Sequence, residues 1–168
     1  MGVVVDSAPV ILLSGLGQFH LLRERFAEIL IPPCVEREVV AEGQGRPGQR
    51  ELQDAIVAGW ARRSPVVDQA LLVRLRRPTL SLADSEVIAC AIENGRATVV
   101  TDDGALRRLC REEQLPVSGT VGVLVRARLD GKIQALKPLL DQLIAEGFRL
   151  DPRGDVYREA LARVGEQP

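Results

Sequence analysis

The spacing of apolar residues changes along this chain from short continuous runs to helical repeats, and this change limits the folds that the chain can adopt. Residues 3–6 and 97–101 are short runs rich in β-branched residues, each bounded by polar positions. Ile29-Leu30-Ile31 and Leu115-Pro116-Val117 are two more such runs. Short apolar runs of this kind are typical of strands that are buried on both faces of a parallel sheet. We therefore predict four strands at these positions.

Between these runs the apolar residues recur at helical spacing. The pattern covers residues 82–94, 104–113, 121–129 and 136–146, and it is weaker over 51–58 and 155–164. Alternation of strands and helices predicts an α/β fold in three layers, a central mostly parallel sheet flanked by helices. At 168 residues we predict a single domain, 1–168, with a core over about 3–131 and C-terminal helices over about 132–165.

Composition and cysteine content exclude several classes of protein. The chain is 46% hydrophobic and 27% charged, an ordinary globular balance. Its apolar runs are too short to span a membrane, and no basic segment precedes the first one, as a secretory signal would require. Its three cysteines are widely spaced, so we predict buried thiols in a reducing, cytoplasmic compartment (Cys34, Cys90, Cys110).

The residue inventory also limits the chemistry. His20 is the only histidine and has apolar neighbours, so a Ser-His-Asp or Cys-His mechanism is excluded, and hydrolysis would have to use carboxylates and a metal. The net charge of −1 argues against bulk attraction to nucleic acid. Arginines nevertheless cluster at 74–77, 107–111 and 126–128. These clusters could bind phosphate or could be solvated helix faces.

Four acidic side chains lie at strand ends or beside apolar helix faces: Asp6, Glu38, Asp84 and Asp103. Each has a local alternative. Asp6 could cap a helix, Asp84 could form a capping box with Ser81, and Glu38 could be a surface acid. Asp102 or Asp103 is expected to cap the helix over 104–113, and periodicity does not decide which of them faces a metal.

These acids predict a metal site only if they converge. Asp6 is expected at the carboxyl edge of the sheet, where open α/β sheets bind ligands. Asp84 shares a helix face with Val87 and Ile88, and a charge there is costly unless it is compensated, whereas Glu86 is expected in solvent. Converging carboxylates hold Mg²⁺ or Mn²⁺, which makes the chain a candidate metal-dependent nuclease.

Five segments together carry a family resemblance: Val3-Val4-Val5-Asp6-Ser7-Ala8-Pro9, Ile31-Pro32-Pro33-Cys34-Val35-Glu36-Arg37-Glu38-Val39, Leu82-Ala83-Asp84-Ser85-Glu86-Val87-Ile88, Val99-Val100-Thr101-Asp102-Asp103 and Gly119-Thr120-Val121-Gly122-Val123-Leu124. In order and spacing they resemble the motifs of PIN-domain proteins. The last of them resembles a late segment of the VapC-like subgroup. The chain departs from that subgroup at Ala8, where a hydroxyl is common, and at Ala83-Asp84, where Gly-Glu is common.

The resemblance implies Mg²⁺- or Mn²⁺-dependent cleavage of RNA by a ribonuclease toxin that a small antitoxin protein blocks and that is often a homodimer. It also implies an acidic pocket in which Asp6, Glu38, Asp84 and Asp103 act, with Asp102 as the substitute if the last motif is shifted by one. Ser7 and Thr101 would support these acids, and Arg107 and Arg108 are candidates for holding RNA phosphates. The alternative is a PIN-like binding or regulatory module whose acids serve as caps and partner contacts.

Overall fold

The computed structural model describes residues 2–168, and its centre is a five-stranded sheet in the order β3-β2-β1-β4-β5. All neighbouring strands are parallel, which confirms the predicted fold class. The strands are β1 (Val3–Val5), β2 (Ile29–Ile31), β3 (Ala61–Arg63), β4 (Thr98–Val100) and β5 (Val117–Ser118).

Helices flank the sheet in two groups. Helix α1 contacts α4 and α8, whereas α6 contacts α5 and α7. Within residues 2–168, no helix is long and apolar enough to cross a bilayer. The helices are α1 (Ser7–Gly15), α2 (His20–Phe26), α3 (Pro33–Glu36), α4 (Gln49–Val57), α5 (Gln69–Leu75), α6 (Leu82–Glu93), α7 (Gly104–Glu112), α8 (Thr120–Leu129), α9 (Lys137–Ala145) and α10 (Asp155–Arg163).

The predicted strands form most of the sheet, but strand β3 and the helices α2 and α5 were not predicted. The valines of β1 are almost completely buried, as are Ile29 and Val99. Strand β3 lies at the sheet edge and exposes two arginines, so it lacks an apolar run. Residues 66–67 belong to the connection between β3 and α5.

The strand order creates a switch point beside β1. The chain moves outward from β1 to β2 and β3, then returns to place β4 on the other side of β1. In open parallel sheets this is where the connections at the carboxyl edge diverge and leave a crevice for ligands. Asp6 leaves β1 at this point, and its backbone amide donates a hydrogen bond to the carbonyl oxygen of Val100 at 3.0 Å. The fold therefore brings the ends of β1 and β4 together.

Candidate functional site

Asp6 lies at the centre of the carboxyl edge. It is the N-cap of α1, and its Oδ1 accepts a hydrogen bond from the amide of Ser7 at 2.8 Å. Its Oδ2 accepts one from the hydroxyl of Thr101 at 2.7 Å. Thr101 is fully buried at the end of β4. The capping role expected for Asp6 and a position at the strand edge are thus both present in one side chain.

The carboxyl of Asp6 is held in an environment that disfavours its charge. Burial, with a smaller contribution from the negative charges of Asp84 and Glu38, raises the pKa of Asp6 to about 6 against the lowering effect of the two hydrogen bonds. A carboxylate that is desolvated beside two like charges has a strained electrostatic environment. Such groups cluster at functional sites, although structural networks also produce them.

Glu38 reaches this centre through Ser7. The Ser7 hydroxyl donates to Oε2 of Glu38 at 2.9 Å, and Ser7 itself is only 3% exposed. Glu38 lies in a π-helical turn, Arg37–Ala41, that directly follows α3. A π-helical turn widens the helix by one residue and is frequent at functional sites. The spacing of apolar residues gave no signal for this turn.

Asp84 adopts the capping box that the sequence left open. Its Oδ2 accepts from the amide of Ser81 at 2.8 Å, and its amide donates to the Ser81 hydroxyl at 3.1 Å. The side chain is nevertheless half-buried at the start of α6, which packs on β1. Because its charge acts on Asp6, Asp84 combines the cap with a place at the acidic edge. We call Asp6, Glu38 and Asp84 the acidic edge.

The two aspartates after β4, Asp102 and Asp103, have different hydrogen-bond partners. Asp102 accepts hydrogen bonds from the amide and the hydroxyl of Thr120 at 2.8 and 2.5 Å, so both its oxygens are used inside the fold. Asp103 is exposed and caps α7, where its Oδ1 accepts from the amide of Leu106 at 2.7 Å. Of the two, Asp103 is therefore the helix cap. The charges that raise the pKa of Asp6 come from the acidic edge and not from this pair.

The chemistry of the acidic edge suits a hard divalent cation, which takes carboxylate oxygens as ligands. The charges of Asp84 and Glu38 act on the carboxyl of Asp6, and a cation would offset that repulsion. Within residues 2–168, however, no group of three or more His, Cys, Asp or Glu side chains is placed to hold a metal ion. The residues thus fit a cation by donor type and charge, and a complete ligand set would require side-chain rotation.

The two arginines that were candidates for binding phosphates differ in their surroundings. Arg107 is half-buried, and its Nη1 donates to the carbonyl oxygens of Thr101 and Ser118 at 2.9 and 3.0 Å. It therefore ties together the ends of β4 and β5, a role that its position on a helix did not indicate. Arg108 is exposed.

Glu86 was expected in solvent, and that expectation is wrong. The side chain is half-buried, and its Oε1 accepts from the amide of Cys34 in the first turn of α3 at 3.1 Å. It thereby satisfies a free helix N–H group. Burial raises the pKa of the Cys34 thiol to about 12, and the Glu86 charge adds to this effect. All three cysteines are free and buried, as predicted.

Comparison with known proteins gives one finding. A family model described as a PIN domain matches residues 2–166, nearly the whole chain. No curated protein matches the chain.

Proposed function

The chain belongs to the PIN-domain family, and on that premise we propose that it is a Mg²⁺- or Mn²⁺-dependent endoribonuclease, the toxin of a toxin–antitoxin pair. PIN domains are generally nucleases, so the fold is that of a hydrolase family. The observation behind the proposal is the half-buried carboxyl of Asp6, held by Thr101 and Ser7 at the switch point beside the charges of Glu38 and Asp84.

In this proposal Asp6, Asp84 and Asp103 hold the metal, and Glu38 binds it directly or through water. A divalent cation, when bound, would supply Lewis-acid activation of water and would offset negative charge on the phosphoryl group. Asp103 is favoured over Asp102 because Thr120 takes both oxygens of Asp102, whereas the hydrogen bond of Asp103 uses Oδ1 alone.

The residues around the acids hold them in place. The Thr101 hydroxyl and the Ser7 amide orient Asp6, and the Ser7 hydroxyl orients Glu38. The Ser81 amide holds one oxygen of Asp84. Preorganised carboxylates bind an ion without losing side-chain entropy at that moment, which is why such supporting hydrogen bonds influence metal affinity.

The proposed substrate is RNA, and the proposed partners are a small antitoxin protein and a second copy of the chain, all in the cytoplasm. These follow from the family resemblance of the motifs. A toxin should arrest growth when it is expressed alone, and co-expression of its antitoxin should restore growth. Growth that is unaffected by a folded, expressed chain would contradict the toxin role.

The test of the enzymatic activity is cleavage of structured and unstructured RNA with Mn²⁺, Mg²⁺ or EDTA. We expect metal-dependent cleavage that Asp84→Asn removes. The matched control is Glu93→Gln at the other end of α6, where the carboxylate accepts from the amides of Val67 and Asp68. Cleavage that survives in EDTA, or that is lost equally in both variants, would contradict the assignment.

One observation favours a second candidate, a PIN-like binding or regulatory module. Within residues 2–168 no three potential ligands are placed around one point, and the acids have structural partners such as the Ser81 amide. If the folded protein, free of bound partners, cleaves no RNA with either metal, the binding module becomes the better account.

A further inference from the structure

A groove opens at the same edge of the sheet, on the side away from Glu38 and Asp84. It has a volume of about 740 Å³ and lies between α8, α10 and residues 148–150. Its near end is formed by Asp102 after β4 and by Ser118 and Gly119 at the end of β5. Thr101, which holds Asp6, immediately precedes Asp102. One end of the groove is therefore next in sequence to the threonine that holds Asp6, and we call it the α8–α10 groove.

The charges that line this groove are mostly positive. Five arginines line it, against two acidic residues, Asp102 and Glu159. Both oxygens of Asp102 are already engaged by Thr120. The arginines are Arg25, Arg107, Arg126, Arg149 and Arg163. In a chain whose net charge is −1, this concentration of guanidinium groups is a local departure from the average surface.

Two of these arginines are free to bind a ligand, and two others repel each other. In the described part of the chain, Arg149 and Arg163 form no ion pair with an acidic side chain. Burial lowers the pKa of Arg25, and the charge of Arg126 lowers it further. Arg126 is already paired with Asp130 at 2.9 Å, and the charge of Asp130 raises the pKa of Arg25, so Arg149 and Arg163 are the groups that carry the proposal for an anion.

The wall of the groove is apolar. Val121, Val125 and Leu129 follow one another at four-residue spacing along α8, and Val156 faces them from α10. Leu129 is 56% exposed and Val156 is 61% exposed. The half-buried ring of Phe148 also lines the groove. A ligand that fits this lining must combine regularly spaced negative charge with flat apolar surface.

We propose that the α8–α10 groove binds the single-stranded RNA that leads away from the acidic edge, with arginines on the phosphates and bases against the apolar wall. This inference rests on the proposed ribonuclease function and adds the path of the substrate to it. Arginine is the preferred phosphate ligand, and unpaired bases stack on aromatic and apolar side chains. Consecutive residues link the two sites, since Asp102 lines the groove and the hydroxyl of Thr101 donates to Asp6.

Binding can be measured without cleavage. A fluorescently labelled single-stranded oligoribonucleotide is titrated with the full chain in EDTA, and anisotropy is followed over a range of salt concentrations. The variant is Arg149→Glu with Arg163→Glu. The matched control is Arg23→Glu with Arg50→Glu, which makes the same change in net charge at two exposed arginines outside the groove.

We expect the groove variant to bind RNA at least about tenfold more weakly, and the control to stay within about twofold of the native chain. For single strands the salt dependence falls by about 0.7 in slope per phosphate contact, so loss of two contacts should reduce it by about 1.4. Equal binding by the native chain and the groove variant, equal losses in both variants, or no RNA binding by the native chain would overturn the inference.

The same proteins separate this inference from the proposed function. Metal-dependent cleavage with an unchanged KM in the groove variant would overturn the RNA path and leave the ribonuclease intact. RNA binding in the groove without cleavage under any metal would support the path and contradict the ribonuclease. A poly-glutamate peptide that binds the native groove when RNA does not would overturn the RNA path in favour of a protein partner.

Discussion

Asp6 and Asp102 make an instructive comparison because they occupy equivalent places. Each follows a central parallel strand, and burial raises the pKa of each. The charged side chains near them act on the pKa in opposite directions. The charge of Arg107 and two hydrogen bonds from Thr120 lower the pKa of Asp102, whereas the nearby charges of Asp84 and Glu38 raise that of Asp6.

This difference separates a structural carboxylate from a candidate catalytic one. Asp102 has its partners within the fold and joins the end of β4 to the start of α8. Asp6 has hydrogen bonds too, but its net electrostatic environment favours the approach of a cation. Position at a strand end therefore does not assign function; the charges around the position do.

The largest effect is expected on activity. Asp6→Asn should keep the cap of α1, because an Asn oxygen can accept from the Ser7 amide, but it removes the charge that a metal needs. We expect metal-dependent RNA cleavage to fall by about 100-fold or more, measured as kcat/KM, with no loss of stability. Asp102→Asn should instead lower stability, since it weakens two buried hydrogen bonds from Thr120. Loss of stability in Asp6→Asn together with loss of cleavage in Asp102→Asn would contradict this distinction.

The second effect concerns pH and stability. The folded pKa of Asp6, about 6, lies above its ordinary value of 3.8, so between these pH values the folded chain binds more protons than the unfolded chain. This carboxyl therefore lowers the free energy of unfolding as pH rises from about 4 to about 6, by up to about 3 kcal/mol. In EDTA, Asp6→Asn should remove that decline. Denaturant unfolding of both proteins at pH 4, 5, 6 and 7 measures it, and parallel pH profiles would contradict it.

The third effect tests the tight packing around Asp102. A Cβ added at Gly119 would lie 2.7 Å from Oδ1 of Asp102 and 3.0 Å from Nη1 of Arg107. Gly119→Ala should therefore destabilise the chain by about 1–3 kcal/mol in chemical denaturation. Gly104→Ala is the control, because a Cβ there meets no atom within 4 Å. Equal stability of the two variants would show that the side chains around the end of β5 can move to accommodate the added methyl group.

The smallest effect concerns the cap of α6. Ser81→Ala removes the hydroxyl that accepts from the Asp84 amide but keeps the Ser81 amide that holds the carboxylate. We expect a loss of about 1 kcal/mol in stability and cleavage within about threefold of native. If cleavage falls as far as in Asp84→Asn, the hydroxyl and not the charge of Asp84 would be the important group.

Local sequence patterns predicted the parallel sheet and the acids at its strand ends. Strands buried on both faces need continuous apolar runs, and β1, β2 and β4 have such runs. They could not predict β3, because an exposed edge strand has no such run. They also misplaced Glu86, whose partner, the amide of Cys34, lies 52 positions away in the chain. Side-chain partners of this kind arise only when the helices pack, and the π-helical turn that carries Glu38 likewise left no periodic signal.

The measurement that tests the central claim most directly is anomalous diffraction from crystals soaked in Mn²⁺. The account predicts a peak at the carboxyl edge, with Asp6 among its ligands together with Glu38, Asp84 or Asp103, and no peak in crystals of Asp6→Asn. A well-ordered edge without a peak at high Mn²⁺ concentration, or a peak that Asp6 does not contact, would contradict it.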